Sequence, residues 1–131
     1  MNTFDGVIHS IRTYGNLTLV KVAVADLIFT SIVIETPETA GYLKPGASTK
    51  VMFKSTEVII ANNPLGISLQ NQIPAKVIEV IKGQLLCQLN LQYQQFTFGS
   101  IITRNAVEQL QIDAGSEVVA MIKTNEIMLS E

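Results

Sequence analysis

Residues 121–127 read MIKTNEI and repeat residues 52–58, MFKSTEV, at a distance of 69 positions. The same offset relates residues 31–33, SIV, to residues 100–102, SII. A long period that is present only twice indicates a duplicated small domain, because solenoids need three or more short units. Each copy is close to the lower size limit for an independent core. We therefore expect the copies to pack on each other or on another chain.

The turn residues around residue 64 predict how the chain is divided. Residues 62–66, NNPLG, are polar and contain proline and glycine, as connectors do. We predict a first barrel over residues 1–62, a connector over residues 63–72 that contributes to a binding site, and a second barrel over residues 73–131.

Short β-branched and aromatic runs between turn residues predict five strands in each copy. The predicted strands are 7–8, 17–24, 27–34, 49–53 and 58–60 in the first copy, and 76–81, 85–91, 96–102, 117–122 and 127–129 in the second. Hairpin turns are expected at residues 15–16 and 25–26.

One short helix is predicted in each copy, between the third and fourth strands. Asn105 and Glu108 have the spacing of a capping box, with Asn105 as the N-cap. In the first copy Thr36 takes the cap and Pro37 the first helical position. The predicted fold is all-β with one short helix per repeat, in two tandem OB-like five-stranded β-barrels.

The amino-acid composition indicates which kinds of molecule the chain is expected to bind. Apolar residues make up 47% of the chain and charged residues 15%, which favours an oligomer whose interfaces cover apolar surface. The net charge is −2 and no basic tract is present, which argues against nucleic-acid binding. The sequence opens without a signal-peptide pattern and has no apolar run of the ~20 residues that span a membrane. We predict a cytoplasmic protein.

No residue pattern typical of an enzyme or a metal centre is present. Cys87 and His9 are the only cysteine and histidine, so neither has a partner of its own kind for metal binding. Asp113 and Glu117 flank a turn, where paired acid and base catalysis is not expected. We therefore predict a protein without catalytic residues or metal ligands.

Three segments of the second copy carry a family resemblance. Residues 71–78, NQIPAKVI, resemble the NQLPGKV opening of Mop (TOBE) domains, and residues 121–124, MIKT, resemble their A-x-I-K motif. Residues 102–118 resemble the family core T-x-x-S-V-E-E-L-G followed by G-S-E-V. The first copy matches more loosely. The chain thus resembles tandem di-Mop units, which occur in cytoplasmic molybdate-binding molbindins and in the effector-binding half of molybdate-responsive regulators.

The resemblance implies molybdate or tungstate binding at interfaces between barrels, often between chains. The candidate oxyanion-binding residues are Ser68, Gln70, Asn71, Thr103, Arg104, Asn105, Ala106, Lys123, Thr124 and Lys54. Gln70 stands where the family has arginine, and Ala106 where it has serine. These departures predict a weaker site, or one that uses Arg104 instead. The first copy has Pro37 in place of Ala106, and a segment that matches residues 68–72 is absent from it, so it is interpreted as scaffold.

The residue types suit a tetrahedral dianion, which needs hydrogen-bond donors from several directions. A helix start offers free backbone N–H groups and the positive end of a dipole. Thr103 and Ser68 add hydroxyls, and Lys123 adds charge. Simpler interpretations remain: each lysine as a solvated residue at a strand end, Thr103 as an ordinary strand residue, and residues 68–70 as a polar linker.

The function predicted from the sequence is non-enzymatic intracellular binding of molybdate or tungstate, for storage, buffering or sensing. No cofactor other than this ligand is expected, and the partner is another copy of the chain in a dimer or trimer. The alternative is an oligomeric interaction or regulatory module whose anion site has decayed.

Overall fold

The computed structural model describes residues 1–64 and 66–131, so residue 65 of the predicted connector lies outside the described residues. The strands are β1 Asn2–Tyr14, β2 Leu17–Val24, β3 Leu27–Val33, β4 Ser48–Phe53, β5 Ile59–Ala61, β6 Asn71–Lys82, β7 Leu86–Tyr93, β8 Phe96–Thr103, β9 Glu117–Ile122 and β10 Met128–Ser130. A helix, α1, spans Arg104–Leu110, and 3₁₀ turns span Ser55–Glu57 and Thr124–Glu126. The predicted all-β class with five strands per copy is confirmed.

Alternation of buried and exposed residues explains why the long strands form. Along β2 the buried positions are Thr18, Val20, Val22 and Val24, so one face of the strand lines the core. The predicted hairpin turns are found between β1 and β2 and between β2 and β3. Gly15 adopts φ 63° in the first of them, a left-handed conformation that two-residue hairpin turns require and glycine permits.

The two sheets exchange their last strands. One sheet has the order β10-β4-β1-β2-β3 and is called barrel one; the other has the order β5-β9-β6-β7-β8 and is called barrel two. Thus β5 of the first copy joins barrel two, and β10 of the second copy joins barrel one. The predicted division at residues 1–62 and 73–131 differs from the sheets at these two strands. A 3₁₀ turn after β4 and another after β9 carry the chain from one barrel to the other.

Two equivalent asparagines join the barrels. Asn71 at the start of β6 donates from Nδ2 to the Thr30 carbonyl oxygen at 2.8 Å and accepts from the Thr30 N–H at 2.7 Å. Asn2 at the start of β1 makes the same pair of bonds with Gly99, at 2.9 and 2.8 Å. Since β3 and β8 are sheet edges, each asparagine satisfies edge backbone groups of the other barrel.

Two buried serines extend this symmetry. The Ser31 hydroxyl donates to the Ile127 carbonyl oxygen at 2.8 Å, and the Ser100 hydroxyl donates to the Val58 carbonyl oxygen at 3.1 Å. In both cases the acceptor residue immediately precedes an exchanged strand: Val58 precedes β5, and Ile127 precedes β10. Among the described residues, no buried side-chain polar atom lacks a hydrogen-bond partner. The polar side chains that are buried at the seam between the barrels therefore all have hydrogen-bond partners.

A cluster of aromatic rings also crosses between the copies. Phe4 lies 5.3 Å from Phe96 and 5.9 Å from Phe98, measured between ring centroids. It also lies 6.0 Å from Phe29 and 5.7 Å from Phe53 of its own copy. The rings are tilted or edge-on, which are favourable arrangements. The two barrels therefore share one core, as the small size of each copy requires.

Two hairpin ends meet at the surface beside this core. The Tyr93 hydroxyl donates to Asp26 Oδ1 at 2.7 Å, and Gln94 Nε2 donates to Asp26 Oδ2 at 3.2 Å. The bond to the Asp26 carboxylate raises the pKa of Tyr93. This contact ties the turn after β2 to the turn after β7.

The predicted helix of the first copy is wrong. Residues 36–43 form turns, in which the Thr39 and Ala40 N–H groups both donate to the Thr36 carbonyl oxygen, at 3.0 and 2.8 Å. One α-turn thus forms and is not continued. In the described part of the chain, no helix is long and apolar enough to cross a membrane.

Candidate functional site

The helix α1 begins directly at the end of β8, with Thr103 as its N-cap. Thr103 has extended backbone angles (φ −69°, ψ 149°), and its Oγ1 accepts a hydrogen bond from the Ala106 N–H at 3.0 Å. The predicted capping box of Asn105 and Glu108 is therefore wrong, because the helix starts two residues earlier than expected. The hydroxyl proton of Thr103 stays free to donate to an anion.

Arg104 is engaged by neighbours within its own barrel. Its Nε lies 3.1 Å from Glu108 Oε1, one helical turn later, and its Nη1 donates to the Gly83 carbonyl oxygen at 3.4 Å. The Arg104 side chain is 45% exposed and that of Glu108 is 61% exposed, so water screens the pair. An anion that uses Arg104 would have to compete with the Glu108 carboxylate.

These residues line an open groove of about 500 Å³. Thr103, Arg104, Asn105 and Glu108 form one side of it. Residues 84–86, at the tip of the hairpin between β6 and β7, form the other side. Leu85 there is 82% exposed and Leu86 54% exposed. The groove thus pairs a polar helix start with an uncovered apolar wall.

A second group of candidates lies where β6 begins and β9 ends. Asn71 pairs with Ile122 in the ladder, so Gln70 and Lys123 continue beyond that pair on adjacent strands. Lys123 is exposed and precedes the 3₁₀ turn in which Thr124 is half-buried. Ser68 and Gln70 are exposed. The Gln70 amide and the Lys123 ammonium group therefore lie at the same end of barrel two.

Asn71 lies beside Gln70 and Lys123, but its side chain forms hydrogen bonds between the two barrels. It is 1% exposed, and both its amide nitrogen and its oxygen bond to Thr30 of barrel one. Its ligand role stays a prediction, and the geometry gives this amide a different task.

Lys54 occupies in the first copy the place that Lys123 has in the second. It is exposed and precedes the 3₁₀ turn Ser55–Glu57. Ser55 lies against Gly99 of β8, where a Cβ added to the glycine would meet Ser55 Oγ at 3.2 Å. The 3₁₀ turn that follows Lys54 therefore lies against β8 of barrel two, which the sequence did not predict.

The strand register separates the Thr103 group from the Lys123 group. Thr103 lies opposite Leu86, next to the pair of Cys87 with Lys82 at the far end of β6. Asn71 is at the other end of this 12-residue strand. At about 3.3 Å per residue the path along β6 between the two ends is roughly 36 Å. None of the hydrogen bonds among the described residues links the two groups.

The first copy lacks the hydrogen-bond donors that line the Thr103 groove in the second copy. At the same offset, Ile34 replaces Thr103, Glu35 replaces Arg104 and Pro37 replaces Ala106. The hydroxyl is thus gone, the charge is reversed, and the N–H is absent. Burial and then the Glu35 carboxylate raise the pKa of Tyr42, whose hydroxyl donates to Glu35 Oε1 at 3.4 Å. The change of charge from Arg104 to Glu35 can be read by aligning the two copies, and it supports the interpretation of this end of the first copy as scaffold.

No cluster of three or more metal-ligating side chains was found within residues 1–64 and 66–131. His9 is exposed on β1 and Cys87 is buried on β7.

Known proteins resemble the chain in both sequence and fold. The TOBE domain profile matches residues 67–129. Molybdenum-pterin-binding protein 1 of Clostridium pasteurianum is 32% identical over 66 residues, which make up 50% of this chain and 97% of that protein. The chain belongs to the Mop/TOBE family. The resemblance predicted from residues 71–124 is thereby confirmed.

Two further proteins are similar to the chain over a larger part of its length. The molybdenum-pterin-binding protein MopB of Rhodobacter capsulatus is 31% identical over 91 residues, or 67% of this chain, and the chain spans only 34% of its length. A structure of the cytoplasmic molybdate-binding protein ModG, with molybdate bound, has a TM-score of 0.92 at 19% identity and covers 98% of this chain and 94% of its own. That likeness confirms the tandem OB-like fold of this Mop/TOBE protein.

Proposed function

We propose that this chain binds molybdate or tungstate and takes no part in catalysis. The observation that carries the proposal is the family match, which spans residues 67–129 and so contains every candidate ligand except Lys54. Relatives over this segment are named for molybdenum-pterin binding, and the structurally similar ModG is described as molybdate-binding. All of these are binding proteins, which supports a role without catalysis and with no cofactor apart from the bound oxyanion.

The chemistry of the two groups supports an oxyanion. The Thr103 hydroxyl proton and the side chains of Asn105 and Arg104 offer donors on one side of barrel two. Gln70 and Lys123 offer an amide and a positive charge on another. A micromolar affinity corresponds to about −8 kcal/mol. Each hydrogen bond to a charged group contributes roughly 1.5–3 kcal/mol, so neither group reaches this value alone after the costs of association.

The separation of the groups supports a site formed by two chains. In this proposal the Thr103 groove of one subunit faces the Gln70 and Lys123 side chains of its partner, and the oxyanion lies between them. The apolar wall of Leu85 and Leu86 then becomes covered in the interface. A homo-oligomer, dimer or trimer, is therefore part of the proposed function, as is a cytoplasmic role in storing, buffering or sensing the anion.

Calorimetry tests the proposal through Lys123. Titration of molybdate or tungstate into the protein is expected to release or absorb heat at 1:1 or lower stoichiometry per chain. Lys123→Ala removes the positive charge, so a loss of roughly 1.5–3 kcal/mol, or about 10- to 150-fold in affinity, is expected. Molybdate and tungstate have nearly equal shapes, so little discrimination between them is expected.

Lys44→Ala is the matched control, because Lys44 is an exposed lysine in the turn before β4 and belongs to neither the Thr103 group nor the Lys123 group. It should leave the affinity unchanged. Absence of heat with molybdate, tungstate, sulfate and phosphate, in folded protein, would refute the proposal and favour an interaction module without a functional anion site.

A further inference from the structure

Arg104 is the only arginine of the second copy, and an acidic side chain already contacts it. Its Nε donates to Glu108 Oε1 at 3.1 Å. Its Nη1 donates to the Gly83 carbonyl oxygen at the longer distance of 3.4 Å. A guanidinium has five N–H donors, so these two bonds use only part of it. An anion that binds through Nε must replace the Glu108 carboxylate.

The bond between Arg104 and Glu108 is of a kind that an anion can displace. Both side chains are exposed to water, and the two residues are one helical turn apart, at positions i and i+4. Exposed pairs of this kind contribute little to stability, because water and salt screen them. The fold would therefore lose little if another anion took the place of the carboxylate.

Arg104 decides how strongly the groove attracts an anion. Among the described residues that line the groove, Arg104 alone carries a positive charge. The Arg104 N–H donates to the Leu85 carbonyl oxygen at 2.9 Å, and the Ala106 N–H donates to Thr103 Oγ1 at 3.0 Å. These two backbone donors are thus already used within the chain, and the guanidinium is the strongest donor that remains for an anion.

The Glu108 carboxylate also adds negative charge to the wall of the groove. Glu108 lines the groove together with Thr103, Arg104 and Asn105. A dianion that enters the groove meets a like charge there, and the repulsion falls only inversely with distance. Glu108 thus opposes an anion in two ways, by its own charge and by its bond to Arg104.

The first copy has neither member of this pair. At the 69-residue offset, Glu35 stands at the position of Arg104 and Thr39 at the position of Glu108. The pairing of an arginine with a glutamate one turn later is therefore confined to the copy whose groove carries the Thr103 hydroxyl.

We propose that Glu108 is an internal competitor of the oxyanion. Its carboxylate holds Arg104 in the free protein and is displaced when a tetrahedral dianion such as molybdate binds to the guanidinium. The competition lowers the affinity, so the groove fills only at a higher concentration of the anion. This inference rests on the proposed oxyanion function and adds to it a residue that sets the affinity.

Calorimetry with molybdate on a double-mutant cycle tests the competition. Glu108→Gln removes the charge and keeps the shape of the side chain, so molybdate should bind about three- to tenfold more tightly than to the wild type. In an Arg104→Ala background the same change should alter the affinity by less than about twofold, because the guanidinium is no longer contested. The gain from Glu108→Gln should also shrink as sodium chloride is added, since salt screens exposed charges.

Glu38→Gln is the matched control, because Glu38 is an exposed glutamate of the first copy and the change in net charge is the same. It should leave the affinity for molybdate unchanged. If Glu108→Gln binds molybdate as tightly as the wild type or more weakly, or gains as much in the Arg104→Ala background, the competition is overturned and the proposed oxyanion function stands. Heat from Glu108→Gln alone would support the competition. Silence of the wild type and of Glu108→Gln, both folded by circular dichroism, would refute the competition and the oxyanion function together.

Discussion

Replacement of Asn71 by alanine is expected to lower the free energy of unfolding by about 2–6 kcal/mol. The amide of Asn71 satisfies both the N–H and the C=O of Thr30, and all of these atoms are buried. Loss of the amide leaves two backbone groups without partners, and each costs roughly 1–3 kcal/mol. Urea denaturation followed by circular dichroism measures the change.

Two neighbouring variants serve as controls for Asn71→Ala. Gln72→Ala removes an exposed amide whose one hydrogen bond within residues 1–64 and 66–131 is to the Leu69 carbonyl oxygen, so a change within about 0.5 kcal/mol is expected. Asn2→Ala should have an intermediate effect, because its bonds to Gly99 are only partly buried. A loss below 1 kcal/mol for Asn71→Ala, together with loss of molybdate binding, would instead make Asn71 a ligand and not a structural clamp.

Phe4→Ala is expected to destabilise both barrels together, by about 3–5 kcal/mol. Phe4 is 5% exposed, and its ring lies within 6.0 Å of four other rings, two of which come from the second copy. The cavity left by the ring would therefore open in the core that the barrels share. Hydrogen exchange of the backbone amides in β2 and β7 can follow each barrel separately, and both sets should lose protection to the same extent.

Tyr14→Ala is the control for Phe4→Ala, since Tyr14 is an aromatic residue that is 90% exposed on the same strand. It should change stability by less than about 0.5 kcal/mol. Loss of protection in β2 alone, with β7 unaffected by Phe4→Ala, would show that the barrels unfold independently and would contradict a shared core.

Much of the strand content could be predicted because the local pattern decides it. Strands β2 and β9 have the predicted bounds, since each is an apolar run between turn residues. Burial alternates along β2, whereas the last three residues of β9 are all buried. The β1 and β6 strands are much longer than predicted, because their ends carry polar residues that the pattern does not mark as strand. Tertiary pairing with β4 and β9 holds those ends in the sheet.

The strand exchange could not be predicted from local pattern. Residues 58–60, VII, and 127–129, IML, are equally apolar, so either segment suits the edge of either barrel. One signal for the seam was present in the sequence. Asn2 and Asn71 are related by the same 69-residue offset as the rest of the repeat, and both prove to be clamps between barrels.

The helix start shows why a capping pattern alone misled. Thr103 and Asn105 are both good N-cap residues, and only Asn105 has a glutamate three positions later. The end of β8 decides between them, because Thr103 is the last residue held in the extended conformation by the pairing with Leu86. Glu108 is then turned towards Arg104.

The candidate residues were taken from the family motifs, and the resemblance implied a site between barrels, often between chains. Which of these residues lie together within one chain was not predicted. Motif positions carry no information about which barrel or which chain brings each residue to the ligand. The register of β6 separates Thr103 from Lys123, and the reversal at Glu35 removes the equivalent groove from the first copy. In the proposed interface between chains, the two groups would lie on the same oxyanion.

Anomalous scattering at the molybdenum edge, from crystals grown with molybdate, tests this account most directly. We expect a molybdenum peak at an oxyanion whose oxygens lie at hydrogen-bond distance, about 3 Å, from Thr103 Oγ1 of one subunit and from Lys123 Nζ of its partner. A peak that contacts neither residue, or no peak at saturating molybdate, would contradict it.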